Sequence, residues 1–333
     1  MSEAAAKRRA GRSAGLVLAL LGCVSLVAAA RAQKTDGAEA PAEPSATEIN
    51  KALTNPVSDI WSLTFQQNNY LLKHQLPDDA ADVAAGHTKD GSDWSSNLLF
   101  QPVLPVAITD EWNLITRPVI PLFVSQPHPN TNPGSGDFLD IDRTTAFGDV
   151  TVLQLVSPSP KLAGSWLLGV GPSWIFPAGA SDYTGTGKWQ VGPAAIVGYL
   201  AEKWIAGALV QDWWSFAGDG DRASTRSMNL QPIAAYFHPN GWSVGYSGNI
   251  LANWNARDGD GVWTIPLGAS VAKVVKLGGK LPLRIALAGQ WMPVHPDQFG
   301  QKWNVQVIFA PVLPKLVKGE LADPSSLRFG LGH

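Results

Sequence analysis

The chain has a single cysteine, Cys23, which excludes an internal disulfide framework and a multi-cysteine metal centre. It is also short of charge. Asp, Glu, Lys and Arg make up 16% of its 333 residues, well under the quarter or so usual for a soluble protein. Neither sign prevails: the formal net charge is −2, so there is no basic field to hold nucleic acid. Beyond residue 33 no run approaches the ~20 apolar residues that a membrane-spanning helix requires.

What the chain does have is tryptophan, fourteen of them, placed near the ends of alternating segments. The segment Trp242-Ser-Val-Gly-Tyr-Ser-Gly-Asn-Ile-Leu-Ala-Asn-Trp254 sets the pattern. One face carries Trp242, Val244, Tyr246, Gly248, Ile250, Ala252 and Trp254; the other carries Ser243, Gly245, Ser247, Asn249, Leu251 and Asn253. Side chains on a strand alternate between faces, so this is one bulky face and one small, polar face. The two indoles are 254 − 242 = 12 residues apart. At about 3.3 Å per residue and a tilt near 45°, that spans roughly 28 Å, close to the ~25 Å apolar band of an outer-membrane barrel. The same parity recurs in Trp166, Leu168, Val170, Trp174 and in Trp303, Val305, Val307, Phe309.

The organisation follows. Residues 1–32 read as a secretory signal: Lys7, Arg8, Arg9 and Arg12 precede an apolar stretch, and Ala30-Arg31-Ala32 offers a cleavage site. Leu20-Leu21-Gly22-Cys23 resembles a lipoprotein box, but Leu21 fits it poorly and apolar chain continues past Cys23. Residues 33–56, rich in Ala, Glu, Pro and Thr, read as a periplasmic linker. From 57 to 313 strand-like runs alternate with short turns and longer loops rich in Asp, Gly and Ser, the asymmetry of a bacterial barrel. Residues 314–333 form a tail. The predicted fold is all-β: a transmembrane antiparallel up-and-down β-barrel of about twelve strands in the outer membrane of a Gram-negative cell. Its partners are then outer-membrane lipid and lipopolysaccharide, the barrel-assembly machinery and a small-molecule solute, with no cofactor and no metal. Trp112, Trp166, Trp174, Trp189, Trp204, Trp214, Trp242, Trp254, Trp263, Trp291 and Trp303 are expected at the membrane interfaces.

Three features sit awkwardly with this register. Pro102, Pro105, Pro118, Pro121, Pro172, Pro193, Pro232 and Pro266 fall inside expected strands, where each removes a ladder donor. Asp212 shares the parity of the tryptophans, which puts it near the external rim or breaks the register there. The run 146–156 has no clean parity.

Several motifs together resemble a known group: Asn113-Leu-Ile-Thr-Arg-Pro-Val-Ile-Pro121, Gly185-Thr-Gly-Lys-Trp189, Trp214-Ser-Phe-Ala-Gly-Asp219, Leu230-Gln-Pro232, Ala252-Asn-Trp254 and Trp263-Thr-Ile-Pro-Leu-Gly268. Over about 50–312 the chain looks like the bacterial outer-membrane proteins often labelled "neuromedin U" or transporter, relatives of the meta-pathway phenol-degradation barrels. The resemblance implies an outer-membrane barrel with a transport role. The vertebrate-peptide label is a naming accident, and no catalytic residue carries over. One departure concerns assembly: the last strand is followed by a tail rather than ending the chain on an aromatic residue.

The chemistry is expected inside the barrel. Gln101, Arg117, Gln190, Gln231, Asn249, Arg284, Gln290, Asn304 and Gln306 are placed on inward faces that are mostly Gly, Ala and Ser. One reading is an amide-lined lumen that passes or binds small solutes, aromatic or weakly charged. The other is amides bonded to one another, filling a closed barrel with a structural or adhesive role. Arg117 and Arg284 would set charge preference, or pair with lumen carboxylates. Acidic loops at Asp137, Asp140 and Asp142, at Asp219 and Asp221, and at Asp258 and Asp260 lack the full calcium-loop pattern. Gly185-Thr-Gly-Lys188 lacks the upstream glycine of a phosphate loop and reads as a flexible external loop. No histidine shares a strand face with a nucleophile, so the sequence argues against a hydrolase.

Overall fold

The structure, a computed structural model, describes residues 44–76, 85, 88–130, 141–256, 261–315 and 317–330. The leader with its cleavage site, and Asp137, Asp140, Asp258 and Asp260, lie outside them.

Twelve antiparallel staves close into a barrel. Ten are single strands: β1 (Trp61–Leu76), β2 (Lys89–Ala107), β3 (Trp112–Pro129), β6 (Trp166–Phe176), β7 (Lys188–Leu200), β8 (Trp204–Gly218), β9 (Arg226–Phe237), β12 (Trp263–Leu277), β13 (Leu281–Val294) and β14 (Gly300–Leu313). Two staves are broken: one into β4 (Ile141–Phe147) and β5 (Val150–Pro158), the other into β10 (Trp242–Tyr246) and β11 (Ile250–Asn253). Pairing of β1 with both β2 and β14 completes the circle. One end carries short turns, including 201–203 and 278–280; the other carries longer connections, including 177–187 and 219–225.

The alternating runs at 165–177, 188–200, 203–216, 227–237, 241–254, 262–275, 281–292 and 302–312 are found as strands with ends within about two residues. The exceptions are instructive. β1, β2 and β3 run further toward the long-loop end than the apolar pattern does, because polar side chains there bond across strands: Gln75 Nε2 donates to Asp90 at 2.9 Å, and Arg143 donates to Asp93 at 2.7 Å. The run 146–156 lacks clean parity because the stave is interrupted at Gly148-Asp149. Prolines lie at or beside gaps in the ladders. Pairing of β2 with β3 skips from Phe100↔Ile120 to Leu104↔Thr116, passing Pro102 and Pro118. Pairing of β7 with β8 skips Pro193, pairing of β5 with β6 skips Pro172, and Pro266 marks a register shift between β12 and β13. A missing donor is tolerated where no bond was due.

On the outer wall, large apolar side chains are exposed. Val170 is 64% exposed, Val197 56% and Leu287 53%. Exposed or half-buried aromatics bound this band in two rows. Trp94, Trp189, Trp214, Trp254, Trp291 and Trp303 mark the long-loop end; Trp112, Trp166, Tyr199, Trp204, Tyr236 and Trp242 mark the short-turn end. Trp174 and Trp263 are half-buried on the outer parity of the first row, Trp263 meeting Trp254 edge-on at 5.4 Å. Asp212 keeps its outward parity and lies one outward position from Trp214; its carboxylate accepts the Trp254 indole N–H at 3.2 Å. Lys273 pairs with Trp242 across the sheet, its ammonium 4.7 Å from the ring centre.

Two segments that are not part of the barrel wall take ordered form. Within the expected linker, α1 (Ala46–Thr54) is a helix closed at its start by a capping box of Ser45 and Glu48. In the tail, β15 (Val317–Glu320) and β16 (Asp323–Phe329) form a hairpin docked on the short-turn end of β2, where Leu321 N donates to Ala107 O at 2.9 Å.

Candidate functional site

The barrel interior is divided. On one side, inward Leu153, Leu155, Leu167, Ile196, Ile205, Leu209 and Ile233 pack into an apolar cluster that Val57 joins from the chain after α1. The sequence expects inward faces mostly of Gly, Ala and Ser with amides; in this sector large aliphatic side chains take those positions instead. These leucines and isoleucines occupy the inward parity of β5 to β9, so this sector of the barrel is filled rather than hollow.

On the other side the inward residues are polar. Arg117 Nη2 donates to Gln101 Oε1 at 2.6 Å, Gln101 Nε2 to Gln66 Oε1 at 3.2 Å, and Gln66 Nε2 to Asn68 Oδ1 at 2.9 Å. Asn68 continues to Asn97 at 2.8 Å. Asn304 Nδ2 reaches both Asn68 Oδ1 and Gln290 Oε1, at 3.4 and 3.2 Å. Gln290 Nε2 then donates to Ser247 Oγ, which donates to Gln306 Oε1, each at 3.0 Å. An amide side chain both donates and accepts, so such a chain satisfies buried polar groups without any net charge.

The short-turn mouth is occupied by α1. Its Asn50 is fully buried. The amide Nδ2 donates to Gly241 O and Ser243 Oγ, both at 3.0 Å, while Oδ1 accepts from Arg284 Nε at 3.0 Å. Thr47 adds bonds to the same turn: its Oγ1 donates to His238 O at 3.2 Å and accepts from Gly241 N at 3.1 Å. Gly241 has φ +78, and a Cβ there would come within 2.8 Å of the Ala46 Cβ; the turn needs glycine both for its backbone and for the helix to sit on it.

Between the end of α1 and the amide chain lies a chamber of about 360 Å³. Of the residues singled out from the sequence, Gln101, Arg117, Gln231, Asn249, Arg284 and Gln306 line it. Gln290 and Asn304 are buried beyond it in the amide chain. Gln190 is apart, its Nε2 donating to Thr186 Oγ1 at 3.2 Å. Sequence reasoning missed Trp213 and Asn229, which also line the chamber. The signal for Trp213 was present: in the pair Trp213-Trp214 parity sends one indole outward and the other in.

At the long-loop end, Gly185-Thr-Gly-Lys188 is held rather than free. Asp149 accepts from Gly179 N, Thr186 N and Thr186 Oγ1 at 3.0, 2.6 and 2.7 Å, and Arg222 Nη2 donates to Gly185 O at 2.7 Å. Among the described residues no cluster of three metal-binding side chains forms.

Comparison with known proteins places the fold. No protein-family model matches the chain, and no curated protein does. Among solved structures, an outer membrane channel from Pseudomonas putida F1 matches with a TM-score of 0.51 and 16% identity, over 84% of this chain and 100% of that one. A FadL homologue of Pseudomonas aeruginosa aligns at 0.31 and 9% identity, covering 80% and 92% of the two chains. The toluene transporter TodX of Pseudomonas putida aligns at 0.34 and 10%, covering 78% and 92%. The first shares the barrel fold; the other two align too loosely to carry any argument.

Proposed function

We propose that this chain is an outer-membrane channel that admits or binds small solutes through the chamber inside its barrel. The observation that carries the reading is the pairing of a lipid-type exterior with a polar interior cavity. Exposed aliphatic side chains between two rows of aromatics are unstable in water and suited to a bilayer bordered by headgroups. The polar cavity of about 360 Å³ gives a small molecule somewhere to sit.

In this reading the leader is cleaved near Ala32, the short turns face the periplasm and the long loops face outward, toward lipopolysaccharide. The barrel is inserted by the assembly machinery, with Asp323–Phe329 following rather than ending the last stave. Trp112, Trp166, Trp204 and Trp242 sit at one headgroup level, and Trp174, Trp189, Trp214, Trp254, Trp263, Trp291 and Trp303 at the other. Membership of the family labelled "neuromedin U", and a kinship with phenol-degradation barrels, are part of the same proposal; the likeness to an outer membrane channel of Pseudomonas putida F1 supports the barrel fold beneath it. Passage requires α1 to yield at the periplasmic mouth, since Asn50 and Thr47 bond it to the turn there.

The test is to purify the mature chain in detergent and place it in planar bilayers. Heat-modifiable gel mobility and discrete conductance steps are expected. A folded barrel with neither conductance nor solute uptake moves the chain to the second reading, a closed barrel with a structural or adhesive role. That reading draws on the apolar cluster and the self-satisfied amide chain.

A further inference from the structure

Among the described residues two arginines, Arg117 and Arg284, line the chamber, and no Asp or Glu does. Neither arginine is ion-paired among the described residues; each bonds a neutral amide, Arg117 to Gln101 and Arg284 to Asn50. A guanidinium taken out of water is costly unless an anion or a full set of acceptors meets it. Here the set is incomplete, since buried Arg117 Nε has no partner. Two more buried atoms of the same lining are also unpartnered, the indole Nε1 of Trp213 and Oδ1 of Asn229. Buried polar atoms are nearly always bonded, so three such atoms around one cavity point to a place where a polar molecule is received.

We propose that this chamber binds a small organic carboxylate, with Arg117 and Arg284 facing its charge and an apolar body lying against the remaining wall. This rests on the channel reading and names its solute class. The unused donors on Arg117 and Trp213 suit an oxyanion, because guanidinium forms charge-assisted bonds to carboxylate stronger than those to neutral acceptors. Leu99, Val119, Leu153 and Ile308 give the lining its apolar part, which an inorganic anion would leave unused. A cavity of about 360 Å³ is at the small end of ligand pockets, so the solute is compact, on the scale of a single ring. The Asn229 acceptor remains for a hydroxyl or amine on that body.

The experiment is equilibrium dialysis of benzoate, and of its neutral isostere benzamide, against the mature full-length chain in detergent. Saturable benzoate binding at one site is expected, with benzamide at least about tenfold weaker. Arg117→Gln should weaken benzoate by a similar factor while leaving benzamide unmoved, and Arg117→Lys should recover part of the loss. Equal binding of the two probes, or complete competition by chloride, would overturn the proposal. Should Arg117→Gln fail to fold, judged by gel mobility, the contrast between probes on the unmodified chain still decides. Planar-bilayer recordings on the same preparation separate the two claims. Conductance together with equal binding of benzoate and benzamide removes the carboxylate site and keeps the channel; selective benzoate binding without conductance keeps the site and removes the channel.

Discussion

Arg284 and Asn50 meet inside the barrel, guanidinium Nε to amide Oδ1 at 3.0 Å, although 234 residues separate them. Every hydrogen-bonding group of the Asn50 amide is engaged there, its donors going to Gly241 and Ser243. A helix of nine residues is too short to persist alone in water, so α1 depends on these bonds and on the burial of Ile49. Asn50→Ala removes three bonds and leaves the Arg284 Nε and the Gly241 carbonyl without this partner. The expected loss at the helix dock is roughly 1–3 kcal/mol. The barrel itself should stay folded, while single-channel recordings show more frequent or longer openings. Unchanged gating would mean that α1 does not control the mouth.

The same helix should respond to acid. Hydrogen bonding with Ser45, backbone first and side chain second, holds the Glu48 carboxyl below its ordinary range. A carboxyl with a lowered folded-state pKa contributes stability that is present above its unfolded pKa and disappears as pH falls through the folded value. The capping contribution is therefore complete at neutral pH and fades only below the ordinary glutamate range. Glu48 is fully exposed, so the effect is modest and sensitive to salt. Opening frequency should rise as pH drops through the region under about 4.5, and Glu48→Gln should flatten that rise. A pH response identical in Glu48→Gln would assign the titration to another group.

The outward-facing Asp212 supplies a thermodynamic cycle. The sequence left two options for it, the external rim or a slipped register, and its indole partner shows how outward parity is kept. Trp254→Phe removes the donor and leaves the carboxylate facing the band, which should cost about 1 kcal/mol in chemical unfolding from detergent. Asp212→Leu should be neutral or slightly stabilising, since charge near a headgroup level costs little. In the double variant the two changes should fail to add, the loss seen with Trp254→Phe alone being largely erased. Additive behaviour would mean that the contact carries no energy.

These residues show where the sequence was legible. Parity reads the wall correctly because one rule governs every outward position: Trp166, Val170 and Trp214 are all exposed on the outer face of their staves. The interior obeys no such uniform rule. Leu155 and Leu209 face inward as Gln101 does, and only three-dimensional proximity decides that the first two join one apolar cluster while the third joins an amide chain. The helix at Ala46–Thr54 was hidden for the same reason. Its anchors are a turn near residue 240 and Arg284, and neither lies near it in the chain. Ser45 and Glu48 do form a local capping signature, and it stood in plain view inside a segment dismissed on composition.

The long-loop end offers a last test. Asp149 sits at the break between Ile141–Phe147 and Val150–Pro158, and its carboxylate takes three hydrogen bonds from Gly179 and Thr186. Gly179 and Gly185 approach so closely that a Cβ on Gly185 would come within 2.7 Å of Asp149 Oδ1 and 2.8 Å of the Gly179 Cα. The loop is thus folded around one acid. Bonds to a charged acceptor are worth about 1.5–3 kcal/mol each in net terms, less where water competes. Asp149→Ala should release 178–187 without unfolding the wall, and chymotrypsin should then cut after Tyr183, which in the intact loop stacks on His128 at 3.5 Å. On whole cells the new fragment should appear only when the loop faces outward. Cleavage in Asp149→Ala spheroplasts from the periplasmic side alone would reverse the orientation proposed for the barrel, whereas resistance from both sides would show that Arg222 suffices to hold the loop.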